Sequence, residues 1–168
     1  MKKRLTIIQM DVHVNDVEYN YTRVQELLSQ SLSENPDIIV LPETWNTGFY
    51  PSKELINIAD RNGERTKSLL STFAKEHNVN IVGGSVAVAK NDVVFNTSYA
   101  YNREGTLVGE YSKMHGFSPA KEDQYFAGGT HTTHFELDGI PCSTVICYDI
   151  RFPELVRMAA LPNTELLF

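Results

Sequence analysis

Apolar and polar positions recur along this chain with two different periods, and the switches between them divide it into elements. Leu5 to Met10 is a short apolar run that predicts a buried strand. Beyond it, Val17, Tyr21, Val24, Leu27, Leu28 and Leu32 recur three and four apart. That spacing predicts a helix of about four turns with one apolar stripe against a sheet. Asn15 followed by Glu18 has the spacing of a capping box at its start. Asp37 to Leu41 reads as a second strand, apolar on both faces as parallel strands covered by helices are. Thr66 to His77 returns to helical spacing, with Leu69, Leu70 and Phe73 inward.

The second half is richer in strands. Asn80 to Ala89 and Val93 to Tyr101 read as two long strands joined at Asn91-Asp92, a hairpin turn signal. Arg103-Glu104-Gly105 marks another turn before a strand from Thr106 to Tyr111. Ser112 to Thr130 is polar, aromatic and glycine-rich, which predicts a long loop, and such loops are usually functional or disordered. Thr133 to Leu137 and Ile140 to Ile146 form a last hairpin about Asp138-Gly139, and Arg151 to Ala160 is the final helix. The order β-α-β-α, then strands, then β-turn-α-β predicts an α/β fold with a mixed sheet. With no repeat, low-complexity tract or linker, residues 1–168 read as one domain.

Composition narrows the class. The chain has 168 residues, 42% of them hydrophobic, enough for a real core. Its net charge is -6 and its 15 basic residues are scattered, so no footprint for nucleic acid is present. Lys2-Lys3-Arg4 precedes an apolar run too short for a signal peptide, and no stretch is long enough to span a bilayer as a helix. Cys142 and Cys147, if on one strand, lie roughly 16 Å apart. A disulfide needs Cα atoms within about 7 Å, so both read as free thiols, which suits a reducing, cytoplasmic setting. The chain stops at Glu165-Leu166-Leu167-Phe168, where a strand has just begun, and this predicts the N-terminal part of a longer domain.

Candidate chemistry sits past the strand ends, where ligands of α/β sheets bind. The apolar run Ser143-Thr144-Val145-Ile146 leads into Cys147, then a polar turn, then a helix with Pro153 in its first turn. A thiol at such a corner is a candidate nucleophile, because a helix N-terminus stabilises negative charge. Glu43 follows the second strand and Lys113 the strand ending near Tyr111. Each has a plain reading as well: a small core cysteine, a capping or surface carboxylate, an exposed lysine. His131 and His134, three apart on a strand, would point to opposite faces and have no companion ligands, so no metal is expected. Gly83-Gly84-Ser85 and Gly128-Gly129-Thr130 lack the lysine and spacing of a phosphate loop and read as turns or close backbone approach.

Three blocks, Leu41-Pro42-Glu43, Tyr111-Ser112-Lys113-Met114-His115 and Cys147-Tyr148-Asp149-Ile150-Arg151-Phe152-Pro153-Glu154, together resemble the nitrilase superfamily of carbon-nitrogen hydrolases, and the last looks most like its omega-amidase branch. The segment Thr44 to Phe49 points the same way. The resemblance implies a four-layer α-β-β-α sandwich, truncated at the C-terminus, that pairs into homodimers and uses no cofactor or metal. It implies a catalytic triad of Glu43, Lys113 and Cys147 acting on a small-molecule amide. It also implies an auxiliary Glu122 and an oxyanion donor in the Tyr148 backbone N–H. Nitrile hydrolysis, carbamoyl-amine hydrolysis, acyl transfer and a non-catalytic interaction subunit stay open beside it. Glu122 is otherwise a solvated loop carboxylate beside Lys121 and Asp123. Arg151 would either hold a substrate carboxylate or form a structural ion pair, and Phe49 and Phe117 would line the pocket or belong to the core.

Overall fold

The computed structural model describes residues 2–161 and 163–168. The chain runs β1 (Leu5–Ile7), α1 (Val17–Ser31), β2 (Ile38–Val40), α2 (Leu55–Ile58), β3 (Asp60–Arg61), α3 (Glu64–His77) and β4 (Asn80–Val82). It continues through β5 (Val86–Lys90), β6 (Val93–Tyr101), β7 (Leu107–Ser112), α4 (Glu122–Tyr125), β8 (His134–Leu137), β9 (Ile140–Ser143), α5 (Pro153–Ala160) and β10 (Leu166–Leu167). One mixed sheet has seven strands in the order β1-β2-β4-β6-β5-β3, with β7 also on β6, and a second has three in the order β10-β9-β8.

Strand periodicity sends alternate side chains to different partners. Ile39, Ile81, Tyr99 and Tyr101 face α1 and α3, packing on Tyr21, Val24, Leu28, Leu70, Phe73 and Ala74. Their neighbours Ile38, Val82 and Ala100 face the other way, onto Phe135, Leu137 and Cys142 of the second sheet. These are the inner layers of the α-β-β-α sandwich, and they explain why β2 is apolar on both faces.

Several sequence expectations need correction. The helix α1 is capped by Asp16, whose side chain accepts from the Tyr19 N–H, while Asn15 takes a left-handed turn at φ 62°. Glu18 is drawn away to Arg65, so no capping box forms. The strand expected from Asn80 to Ala89 is broken at Gly83-Gly84-Ser85. Gly84 has φ +56°, and a Cβ there would stand 2.0 Å from the Pro42 carbonyl oxygen, so close backbone approach ends β4. Two strands run shorter than their apolar runs: the first ends at Ile7 and β9 at Ser143. The long loop after β7 carries a 3-10 turn at Ser118–Ala120 and the short helix α4. The helix expected from Arg151 starts at Pro153, behind a 3-10 turn spanning Cys147–Arg151. The two hairpins form at the expected places, Asn91-Asp92 and Asp138-Gly139, all four residues with positive φ.

Candidate active site

Glu43 stands on a segment pinned to the β4–β5 break. Pro42 accepts from the Ser85 N–H at 3.0 Å. Thr44, left-handed at φ 44°, donates its N–H to Ser85 Oγ at 3.0 Å. Trp45 is fully buried and donates its indole N–H to Gly83, while Asn46 pairs with both the N–H and the carbonyl of Ala87. A β-branched residue at positive φ is costly and persists only where its surroundings fix it. Here they fix the carboxylate that precedes it.

Lys113 follows β7 directly. Its N–H bonds the Asn96 carbonyl and its own carbonyl accepts from the Gly129 N–H, so the glycine pair serves backbone approach. The ammonium, buried with 4% exposure, donates to Glu43 Oε1 and to Glu122 Oε2, both at 2.8 Å. Asn96 Nδ2 also donates to Glu43 Oε1, at 3.0 Å. Glu122 is 1% exposed and accepts a second bond from the Phe117 N–H at 2.6 Å, so it is a buried ion-pair partner and not a solvated loop carboxylate. Burial opposes the Lys113 charge, but the hydrogen bonds to Glu122 and Glu43 and their negative charges outweigh it and hold the ammonium above its usual range.

Cys147 opens the 3-10 turn and is itself left-handed, at φ 48°. Its thiol is exposed to an open cleft lined by Phe49, Phe117, Tyr148, Ile150 and Arg151. The expectation of a stabilised thiolate is reversed. Partial burial first, and then the charge of Glu43 and a hydrogen bond to it, together push the thiol up to about 11, with Lys113 opposing them only in part. The resting sulfur is therefore protonated at neutral pH and faces a ready acceptor. The Tyr148 N–H has no acceptor among the described residues, as befits the start of a short turn. Arg151 makes no salt bridge within 4.0 Å among the described residues, so the structural ion-pair reading finds no support.

The structure thus brings Glu43, Lys113 and Glu122 into direct contact and sets Cys147 within their electrostatic reach. Sequence reasoning missed Asn96 and Asp149. Asn96 sits mid-strand with no local signal. Asp149 lay inside a quoted block, and its position two residues past the cysteine was the available clue.

Residues 4–168 match the family model for carbon-nitrogen hydrolases. Among curated relatives, the chain is 39% identical over its whole length to a 2-oxoglutaramate amidase of Bacillus subtilis, covering 64% of that protein. It is 33% identical to a hydrolase in the agr operon of Staphylococcus aureus (98% of this chain, 64% of the other). An omega-amidase of Danio rerio is 31% identical (99% and 62%). The chain therefore spans slightly less than two thirds of these relatives' length. Among solved structures, an amidase from Nesterenkonia sp. superposes with TM-score 0.86 at 21% identity, covering 98% of this chain and 63% of that one, a likeness of fold. A superfamily protein of Xanthomonas campestris with an arsenic adduct in its active site matches with TM-score 0.80 at 30% identity (90% and 56%).

Proposed function

The chain belongs to the carbon-nitrogen hydrolase family, and from that premise we propose that Glu43, Lys113 and Cys147 are the triad of an amidase. Its substrate would be a short linear amide with a carboxylate at the far end, cleaved to carboxylate and ammonia. The observation that carries this reading is the Lys113 ammonium held at 2.8 Å from both Glu43 and Glu122, with the Cys147 thiol near enough for the charges of all three to bear on it.

The chemistry follows from the resting charges. Glu43 takes the proton of Cys147 as sulfur attacks the amide carbonyl, and the C–O π pair moves to oxygen. Lys113 and the Tyr148 N–H stabilise that oxyanion, a donor of this kind being worth roughly 3–4 kcal/mol in the barrier. Glu43 then returns the proton to the nitrogen as the oxyanion re-forms the C=O bond and the C–N bond breaks; ammonia departs and a thioester remains on Cys147. Water, deprotonated by Glu43, attacks the thioester carbonyl; the C–S bond breaks, the sulfur takes the proton back from Glu43, and the carboxylic acid product ionises, its proton passing to the released ammonia. Glu122 keeps Lys113 charged and in place.

Arg151, in the same cleft as Cys147 and without a salt bridge among the described residues, supports a substrate carboxylate, and Phe49 and Phe117 would cover the methylenes between the two ends. The 39% identity to a 2-oxoglutaramate amidase agrees with that substrate shape. We include a homodimer and a cytoplasmic setting in the proposal, the latter supported by two free thiols. The test is ammonia release from 2-oxoglutaramate and succinamate by the full-length protein and by Cys147→Ala. Turnover that survives the substitution defeats the mechanism, and a preference for amides lacking the carboxylate defeats the substrate reading.

A further inference from the structure

We propose that Asp149 is a positioning residue, tying the turn that presents Cys147 to the chain on both sides of Lys113 and so setting the separation of thiol and ammonium. The proposal rests on the reading of Cys147 as nucleophile and Lys113 as oxyanion donor.

Asp149 is completely buried and its nearest partners include no lysine or arginine. A carboxylate in that position is costly unless hydrogen bonds replace its water. Four do. Oδ2 accepts from the Tyr111 hydroxyl at 2.7 Å and from the Ile146 N–H at 3.1 Å. Oδ1 accepts from the His115 N–H and faces His115 Nδ1, each at 2.9 Å. Burial first, and then the bond to Asp149, hold the Tyr111 phenol protonated, so it donates.

The placement of these donors is the point. Tyr111 and His115 lie two residues before and two after Lys113, and Ile146 immediately precedes Cys147. One side chain thus spans the two segments whose reactive groups must meet. His115 also stacks on Phe152 with ring centroids 3.6 Å apart, but a stack fixes sliding less tightly than directed hydrogen bonds. No Asn orientation could replace Asp149. Each oxygen accepts from a backbone N–H, which cannot reverse its role, so an amide NH2 would confront a donor in either flip.

Misplacement of reacting groups by about 1 Å can cost roughly a hundredfold in rate. The experiment compares Asp149→Asn and Tyr111→Phe with the parent full-length protein, measuring kcat per reactive thiol, KM for succinamate and thermal midpoint. For Asp149→Asn we expect kcat to fall roughly 30- to 1000-fold with KM within about threefold, and for Tyr111→Phe a fall of roughly 3- to 10-fold. Asp149→Glu, one methylene longer, would not restore kcat. A structural role alone would lower the midpoint and leave kcat per reactive thiol near the parent value, and that result overturns the proposal. If Asp149→Asn does not fold, Tyr111→Phe decides in the same way. Cys147→Ala separates the two claims: retained activity there defeats the triad, whereas an inactive Cys147→Ala beside fully active Asp149 and Tyr111 variants defeats only the positioning role.

Discussion

Lys113 and Glu122 are joined by a 2.8 Å hydrogen bond between side chains that are 3% and 1% exposed. Breaking a buried pair by removing one partner leaves the other charge without compensation, at a cost of about 3 kcal/mol or more. Lys113 keeps Glu43 at 2.8 Å, so Glu122→Gln should lower stability by less than that, about 1–2 kcal/mol, in urea unfolding at neutral pH. The sign of the pH dependence is fixed by the raised Lys113 value. Native Lys113 holds its proton more tightly than the unfolded residue, so its contribution is complete below the ordinary 10.5 and is lost as pH rises through the higher native value. The deficit of the variant should be constant from pH 7 to 9 and shrink only in stronger base.

Glu43→Gln separates acidity from catalysis. Burial raises the Cys147 thiol most and stays in the variant, but Glu43 adds its charge and a hydrogen bond, so removing the charge should lower the thiol below about 11. Ultraviolet titration of the thiolate reads this directly, in a double variant carrying Cys142→Ser to silence the other thiol. Turnover should fall by roughly a hundred- to ten-thousandfold, because the base is gone. A more acidic thiol with less activity is the signature of a sulfur activated in the reaction and not at rest.

Gly84 fixes the segment that carries Glu43. Its φ of +56° disfavours any side chain, and a Cβ would stand 2.0 Å from the Pro42 carbonyl oxygen and 2.4 Å from that of Leu41. Gly84→Ala should destabilise the fold by about 2 kcal/mol or more and reduce kcat by displacing Glu43. Thermal unfolding and steady-state kinetics on the same preparation check both effects.

Asp138 at the β8–β9 turn anchors the second sheet to the first. Arg103 holds both its oxygens, at 2.8 and 2.7 Å, and Lys3 adds a bond at 2.8 Å. The Arg103 hydrogen bonds, with Lys3, outweigh desolvation and keep its carboxyl well below the usual carboxylate range. The resulting stability is present above the unfolded pKa near 3.8 and is lost as pH falls toward the depressed native value. Asp138→Asn should cost about 1 kcal/mol at pH 7, after allowing for solvent screening, and progressively less below pH 3.8. Chemical denaturation at pH 7 and pH 3 provides the comparison.

Local signals located the core elements because burial imposes a period: α1, α3 and the two hairpins lie within a few residues of where the pattern puts them. The misses have a common cause, which is tertiary contact overriding local preference. Glu18 had the spacing to cap α1 but bonds Arg65 across to α3. Nothing local marks Gly84 as the residue that must sit against Pro42. At the site, Glu43, Lys113 and Cys147 each followed a strand, so their convergence was open to inference from topology. Asn96 and Asp149 were not, since their value lies in partners 53 and 38 residues away, Glu43 and Tyr111. The thiol's direction of shift was also hidden, because it depends on burial and a carboxylate brought from a distant strand end.

Rapid quenching of the full-length protein with succinamate, followed by intact-mass and peptide-level mass spectrometry, looks for the thioester on Cys147 itself. One added acyl group is expected on the peptide containing Cys147, with one ammonia released for each group formed. Ammonia release with no acyl group on Cys147 at any quench time, and undiminished in Cys147→Ser, would contradict it.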